Sequence, residues 1–455
     1  MTNRNDNTNQ SLEGRSSKVG LGLRIAVFNL AVFLIATELL CIGLYFFKTG
    51  HLFYSHPPRG RSVPTDIANV DHYRLHPYFG FQLEAHSGEW NGSFANNNHG
   101  FVSASDYPRI RRDGEVILGI FGGSVASFLA QYERDHQVIA SQVAQALGAA
   151  IDDVVVLNFA QGGFKQPQQV QILSYFLATG QELDAVINVD GFNEVALGAR
   201  NQLAGVAPSQ PSVEHMFGLQ AVTPLQSSKR RAAMQEARQA YNRYAELYNR
   251  AWSGDAPETR LAVGFLWHYL RYKIQYRRAM KLRQGLLATA EGETGSWLYL
   301  QPTRPGAVRT GNSVPDPDDV DWPPILDVWQ QGAVTFAELA RAAGAVSVHV
   351  LQPNQYFPTG RTFSQSEREV AVAEWSPYAE LIPAGYELLA ERAIGVSAEG
   401  IPIAILYDLF DDLEPQAYVD DCCHYTEAGN ELLARSVAAL LVQALDDVQK
   451  APSDG

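Results

Sequence analysis

Ser124 stands directly after Gly122-Gly123, and His424 stands near the C-terminus. A serine hydroxyl is a poor nucleophile until a base takes its proton. Histidine, whose ordinary pKa lies near neutrality, is the natural base for that task. Two glycines before the serine permit a tight turn and a close backbone approach. A helix beginning at Ser124 would add free N–H groups that favour developing negative charge. These residues have the chemistry of acyl transfer through a covalent serine intermediate, which requires neither metal nor organic cofactor. A serine that merely caps a helix after a glycine turn has the same local pattern, and His424 alone reads equally as a loop histidine. The surrounding elements have to decide.

Those elements alternate. Apolar, β-branched runs at Val116–Phe121, Val154–Phe159, Ala185–Val189, Val346–Leu351 and Pro402–Tyr407 suit buried parallel strands. Helical patterns lie between or after them at Arg134–Leu147, Pro167–Ala178, Ile325–Ala343 and Glu427–Leu445. Strands alternating with helices of that length imply βαβ units and an α/β fold with a mostly parallel sheet. Active sites in such sheets lie outside the carboxyl ends of the strands.

Four segments stand at those positions. They are Gly122-Gly123-Ser124, Asn158-Phe159-Ala160-Gln161-Gly162-Gly163, Asp190-Gly191-Phe192-Asn193-Glu194 and, before the last helix, Asp421-Cys422-Cys423-His424. In this order they resemble the four signature blocks of the SGNH/GDSL hydrolase family, from about Glu115 to Leu445. His76-Pro77-Tyr78-Phe79-Gly80 and Asn98-His99-Gly100-Phe101 are similar to the approach found in membrane-anchored bacterial members. The resemblance implies a three-layer α/β/α, flavodoxin-like domain and a triad of Ser124, Asp421 and His424. Asp421 would orient the imidazole, with Asp420 as the fallback one residue away. The implied oxyanion donors are the N–H groups of Ser124 and Gly163 and the side-chain amide of Asn193, with Gly162 as the alternative to Gly163. One residue departs from the pattern: the family usually has Asp before the serine, where this chain has Gly123. Asn193 and Gly163 also read as ordinary turn residues.

Composition bounds the rest. The 455 residues are 46% hydrophobic and 18% charged, which is globular, and the net charge of -14 argues against a nucleic-acid partner. Cys41, Cys422 and Cys423 imply no disulfide framework and no metal spacing, and the last two read as small packing residues. Ile25 to Phe47 is a run of the length a helix needs to cross a bilayer, interrupted by Asn29, Thr37 and Glu38. Glu38 should face a partner or lie toward an interface. The run is too long for a signal-peptide core, and no small-residue cleavage site follows it. Basic residues before it favour a cytoplasmic N-terminus. The expectation is a single-pass protein of the bacterial inner membrane, with its catalytic domain on the exported side.

The expected layout is a disordered tail (1–24), an anchor (25–47), a linker (48–72) and a hydrolase domain (73–450) carrying a helical insertion (205–322). Within that insertion lie a polar helix, Ser228–Trp252, and a basic aromatic helix, Arg260–Arg283. The latter reads first as packed on the body, then as lying on a membrane surface or acting as a lid. Gln352-Pro353-Asn354-Gln355-Tyr356 either lines the site or forms a plain loop. The expected reaction is ester hydrolysis, on a small-molecule or glycan ester. Two alternatives remain: an O-acyltransferase or deacetylase acting on an exported glycan, and a non-catalytic binding or assembly protein on the same fold.

Overall fold

A computed structural model of the chain describes residues 7–49, 52–55, 73–90, 93–219, 228–252, 260–289, 303, 316–373, 376, 378–414 and 416–450. Most of the linker expected at 48–72 and of the 290–315 stretch lies outside these residues. In chain order the elements begin with α1 (Asn7–Thr49). Two short antiparallel pairs follow, β1 (Tyr73–His76) with β2 (Gly80–Leu83) and β3 (Glu89–Trp90) with β4 (Ser93–Phe94). Next come β5 (Val116–Gly122), α2 (Ser124–His136), α3 (Val138–Leu147), β6 (Val154–Asn158), α4 (Gln168–Ala178), β7 (Ala185–Asp190), α5 (Phe192–Leu203) and α6 (Val213–Leu219). The remainder is α7 (Ser228–Trp252), α8 (Ala262–Thr289), α9 (Trp322–Ala342), β8 (Val346–Leu351), α10 (Gln365–Ala371), α11 (Leu381–Ala398), β9 (Ile403–Ile405) and α12 (Glu427–Lys450).

The chain divides into two units. The larger one, Asp66–Met234 with Gln284–Gly455, holds a five-stranded sheet in the order β6-β5-β7-β8-β9, every neighbouring pair parallel. The alternating side chains of β5 show the layers. Leu118 and Ile120 enter a cluster with α2, α3 and α12, whereas Ile117 and Phe121 face Phe159, Phe176 and Phe336 beside α4 and α9. The sheet is therefore covered on both faces, as its unbroken apolar runs require. After β6 the chain crosses back over β5 to lay down β7, so the loops leaving β5, β6 and β7 meet at a switch point.

Two boundaries differ most from the sequence expectation. The helix expected at Arg134–Leu147 is two helices, the first of which starts at Ser124. Gln137 takes a left-handed conformation between them, and the buried Glu133 carboxylate accepts the N–H groups of Ile139 and Ala140 at 2.9 and 2.7 Å, capping α3. At the N-terminus, α1 begins at Asn7, inside the stretch expected to be disordered. Extending an existing helix costs far less than nucleating one.

The smaller unit, Met1–Thr65 with Gln235–Arg283, contains the apolar stretch Arg24–Phe47, which is long and apolar enough to cross a membrane. Cys41 and Tyr45 of α1 pack with Phe53, with Tyr241, Tyr244 and Leu247 of α7, and with Phe265 and Tyr272 of α8. The basic aromatic helix thus buries Phe265 and Tyr272 against α7 and the end of α1. Glu38 has the partners its position demands. Its carboxylate accepts the Tyr54 hydroxyl at 2.5 Å and the N–H groups of Ala262 and Val263 at 2.7 and 3.0 Å, closing the N-terminus of α8.

Candidate active site

β5 delivers Ser124 through Gly122 and Gly123 to the first position of α2. The absent side chain at position 123 has a structural cause. A Cβ there would lie 2.2 Å from Nδ2 of Asn193, which arrives from the start of α5 after β7. That amide donates to the main-chain carbonyl of Phe164 at 2.7 Å, so it cannot swing aside freely. The departure at Gly123 is thus matched to the close seat of Asn193 against the backbone beside Ser124.

The loop after β6 completes this side of the site. A Cβ on Gly162 would lie 3.8 Å from Cβ of Ser124 and 3.3 Å from the Tyr73 hydroxyl, so the loop passes the serine at this residue. Gly163 then turns with φ +81°, and any side chain there would run into the His215 imidazole at 2.3 Å. The structure therefore brings Gly162 against Ser124 and Asn193 against Gly123 from two strand ends, with Gly163 next in the chain and facing His215. Buried carboxylates tie those ends together. Glu194 accepts the N–H groups of Gly191 at 2.8 Å and Gln166 at 3.1 Å. Asp190 accepts Trp329 Nε1 at 3.1 Å and Gln169 Nε2 at 3.1 Å. Burial pushes both carboxyls above their ordinary range.

The fourth segment supplies the base. His424 Nε2 lies 2.8 Å from Ser124 Oγ, and its Nδ1 lies 2.5 Å from an Asp420 carboxylate oxygen. The hydrogen-bond partner of the imidazole is Asp420, not the expected Asp421. The cause is local. Asp420 Oδ1 accepts the N–H groups of Cys422, Cys423 and His424 at 3.0, 3.1 and 3.3 Å. This curls the chain through one tight turn and sets the ring over residue 420 through Oδ2. Asp421 offers its main-chain carbonyl to the Tyr356 hydroxyl at 2.9 Å.

Electrostatics follow from this packing. Burial pushes the Asp420 carboxyl up, but the His424 bond and the N–H groups of Cys422 and His424 outweigh it, so the group lies below its usual range. His424 is 5% exposed. Burial pushes its pKa down, while the Cys423 sulfur and the Asp420 carboxylate push harder the other way, and the net shift is well upward. Phe128, one turn along α2 from Ser124, meets the imidazole edge-on at 4.8 Å and is 39% exposed, so it forms an apolar rim beside the nucleophile.

The segment Gln352–Tyr356, read from the sequence as either lining or loop, is the clamp on this turn. Asn354 Nδ2 donates to Cys422 O at 3.0 Å, and Gln355 Nε2 donates to Asp420 O at 3.0 Å. In return, the Tyr425 hydroxyl donates to Pro353 O at 2.7 Å. The sequence signal was a polar run at the end of a buried strand, which marks the place but not the partners. Among the described residues no group of three or more histidine, cysteine or acidic side chains is placed to hold a metal ion.

No protein-family model matches the sequence, and no curated protein does either. Among solved structures, the chain is similar to a GDSL-like lipase from Bacteroides thetaiotaomicron, at 11% identity and TM-score 0.31, over 74% of this chain and 89% of that one. It is also similar to a candidate acylhydrolase from Bacteroides fragilis, at 11% identity and TM-score 0.33, over 76% of this chain and 93% of that one.

Proposed function

We propose that the chain is a serine hydrolase that cleaves an ester through an acyl-Ser124 intermediate. The observation that carries this reading is the hydrogen-bonded line from Ser124 Oγ through His424 to Asp420, at 2.8 and 2.5 Å. His424 takes the hydroxyl proton as Ser124 attacks the ester carbonyl. It then returns that proton to the departing alcohol, and in the second half-reaction it activates water. Asp420 holds the imidazole with Nε2 toward the serine and stabilises the imidazolium. The N–H of Ser124 at the start of α2, the N–H of Gly163 and the amide of Asn193 are the proposed donors to the oxyanion. No cofactor enters these steps.

The same reading tethers the enzyme to a membrane through a retained α1 in single-pass topology, with the catalytic unit on the exported side of a bacterial inner membrane. Support for retention comes from Glu38, Cys41 and Tyr45, which close α8 and enter the aromatic cluster of their unit. Cleavage of α1 would strip that cluster.

The test is a fluorophosphonate probe on the full chain in detergent, beside Ser124→Ala, with turnover of short-chain acyl esters measured on both. Labelling and turnover in the parent, with neither in the variant, is the expected result. A folded parent that does neither would sink the proposal.

A further inference from the structure

Two nucleophilic side chains beside the imidazole form no bond in the steps proposed above. Cys422 and Cys423 lie between Asp420 and His424, and their Sγ atoms stand 3.1 Å apart. Neither is in a disulfide. An S–S bond is about 2.05 Å long, so a closing motion of about 1 Å would join them. The resulting ring is strained, because consecutive Cα atoms are about 3.8 Å apart whereas ordinary disulfides span about 4.4–6.8 Å. Strain raises the reduction potential and puts such a bond among the labile, reversible ones.

The backbone between the two sulfurs also forms the seat of the base. The N–H groups of Cys422, Cys423 and His424 all point at one oxygen of Asp420, whose other oxygen holds the imidazole. Closing an eight-membered ring across the Cys422–Cys423 peptide must twist that peptide. The twist turns the Cys423 N–H off its acceptor and moves the residue next to it, which is His424.

We infer that Cys422 and Cys423 are a dithiol–disulfide site whose closure draws His424 away from Ser124 and so turns the acyl-transfer site off reversibly; this rests on the proposed function above. The oxidant is a small-molecule disulfide of the glutathione class. Cys422 is half-buried and Cys423 only 1% exposed, so Cys422 makes the first bond. Its thiolate attacks the disulfide and expels one glutathione thiolate, leaving a mixed disulfide. The Cys423 thiolate then attacks the Cys422 sulfur and expels the second. Two protein thiols lose two electrons and two protons, and one glutathione disulfide becomes two glutathiones. Burial pushes the Cys423 thiol up; of the groups that pull it down, the His424 imidazole still stands beside it after Cys422 has entered the mixed disulfide, which favours the attacking thiolate.

The full chain in detergent is equilibrated in glutathione buffers from reducing to oxidising, then split between peptide mass measurement and fluorophosphonate labelling. The expected result is a peptide holding both cysteines that becomes lighter by two hydrogens as labelling slows about a hundredfold, the cost of about 1 Å of misplacement, with recovery in dithiothreitol. Cys422→Ser should label like the reduced parent in every buffer. The inference is overturned if no buffer removes the two hydrogens, if the ring forms while labelling holds, or if Cys422→Ser slows as the parent does. If Cys422→Ser does not fold, the dithiothreitol-reversible loss in the parent decides the same question. A reduced parent that fails to label sinks the proposed function and the control of His424 with it, and the peptide mass then decides the dithiol separately.

Discussion

The two arms of the site are built on opposite principles. The Ser124 arm is held by main-chain geometry: a buried strand, two glycines and a helix start, with neighbours close enough that position 123 has no room for a Cβ. The Asp420–His424 arm has no regular element beneath it. It is closed by two main-chain hydrogen bonds, from Val419 N–H to His424 O at 3.0 Å and from Thr426 N–H to Ala417 O at 2.8 Å, and is otherwise held by side chains, with Asp420 gathering three N–H groups and with Asn354, Gln355 and Tyr356 gripping the main chain from the end of β8. The first arm is rigid because its backbone has few alternatives. The second depends in addition on its polar side-chain partners, and that is where substitution and oxidation should act.

The sharpest way to break the comparison is at the aspartates. Asp420→Asn should lower kcat by about 10⁴-fold, the scale seen when the orienting carboxylate of a serine triad is neutralised, whereas Asp421→Asn should cost less than about tenfold. Equal effects would mean that the loop is not held as described. The rigid arm is probed by Asn193→Ala, expected to cost about 10²–10³-fold in kcat with little change in KM, as for loss of one oxyanion donor. Gly123→Ala should act in the same direction, because its Cβ lands on the Asn193 amide. A parent-like Gly123→Ala would show that this arm yields more than its geometry suggests.

Acidity separates the arms further. His424 must be neutral to take the Ser124 proton, and its pKa lies above the ordinary 6.5. Activity should therefore be lost as pH falls through a midpoint higher than 6.5. Cys423→Ser should move that midpoint down, because the sulfur is one cause of the rise; kcat/KM against pH reads both. The smallest expected effects are in the clamp. Gln355→Ala removes two hydrogen bonds, to Ala371 O and Asp420 O, each worth about 1 kcal/mol, lowering the Tm by about 4 °C and kcat by a few-fold. Nothing on the Ser124 side should respond to it.

Much of this protein is determined by the sequence alone. The β-branched runs at Val116, Val154, Ala185 and Val346 suit strands of a parallel sheet covered on both faces, and β5 to β8 begin where those runs begin. The places of Ser124, Gly163, Asn193 and His424 beside strand ends or helix starts were legible for the same reason, because there position in the chain nearly fixes position in space. The apolar stretch ending at Phe47 was legible from its length, and Glu38 was marked as needing a partner.

Tertiary structure decided what spacing could not. Asp420 and Asp421 are adjacent, chemically identical and equally suited to an irregular loop. Only the curl of three N–H groups onto one of them selects which carboxylate meets the imidazole. Two of the partners of Glu38, the N–H groups of Ala262 and Val263, lie more than two hundred residues away on α8, and nothing local to either segment encodes that pairing. The Gln352–Tyr356 clamp is of the same kind, because its donors act on residues brought close by β8, β9 and the turn before α12 together. Local pattern specifies an element when the chain itself supplies the hydrogen-bond partners. Where the partners come from elsewhere in the fold, only the fold names them.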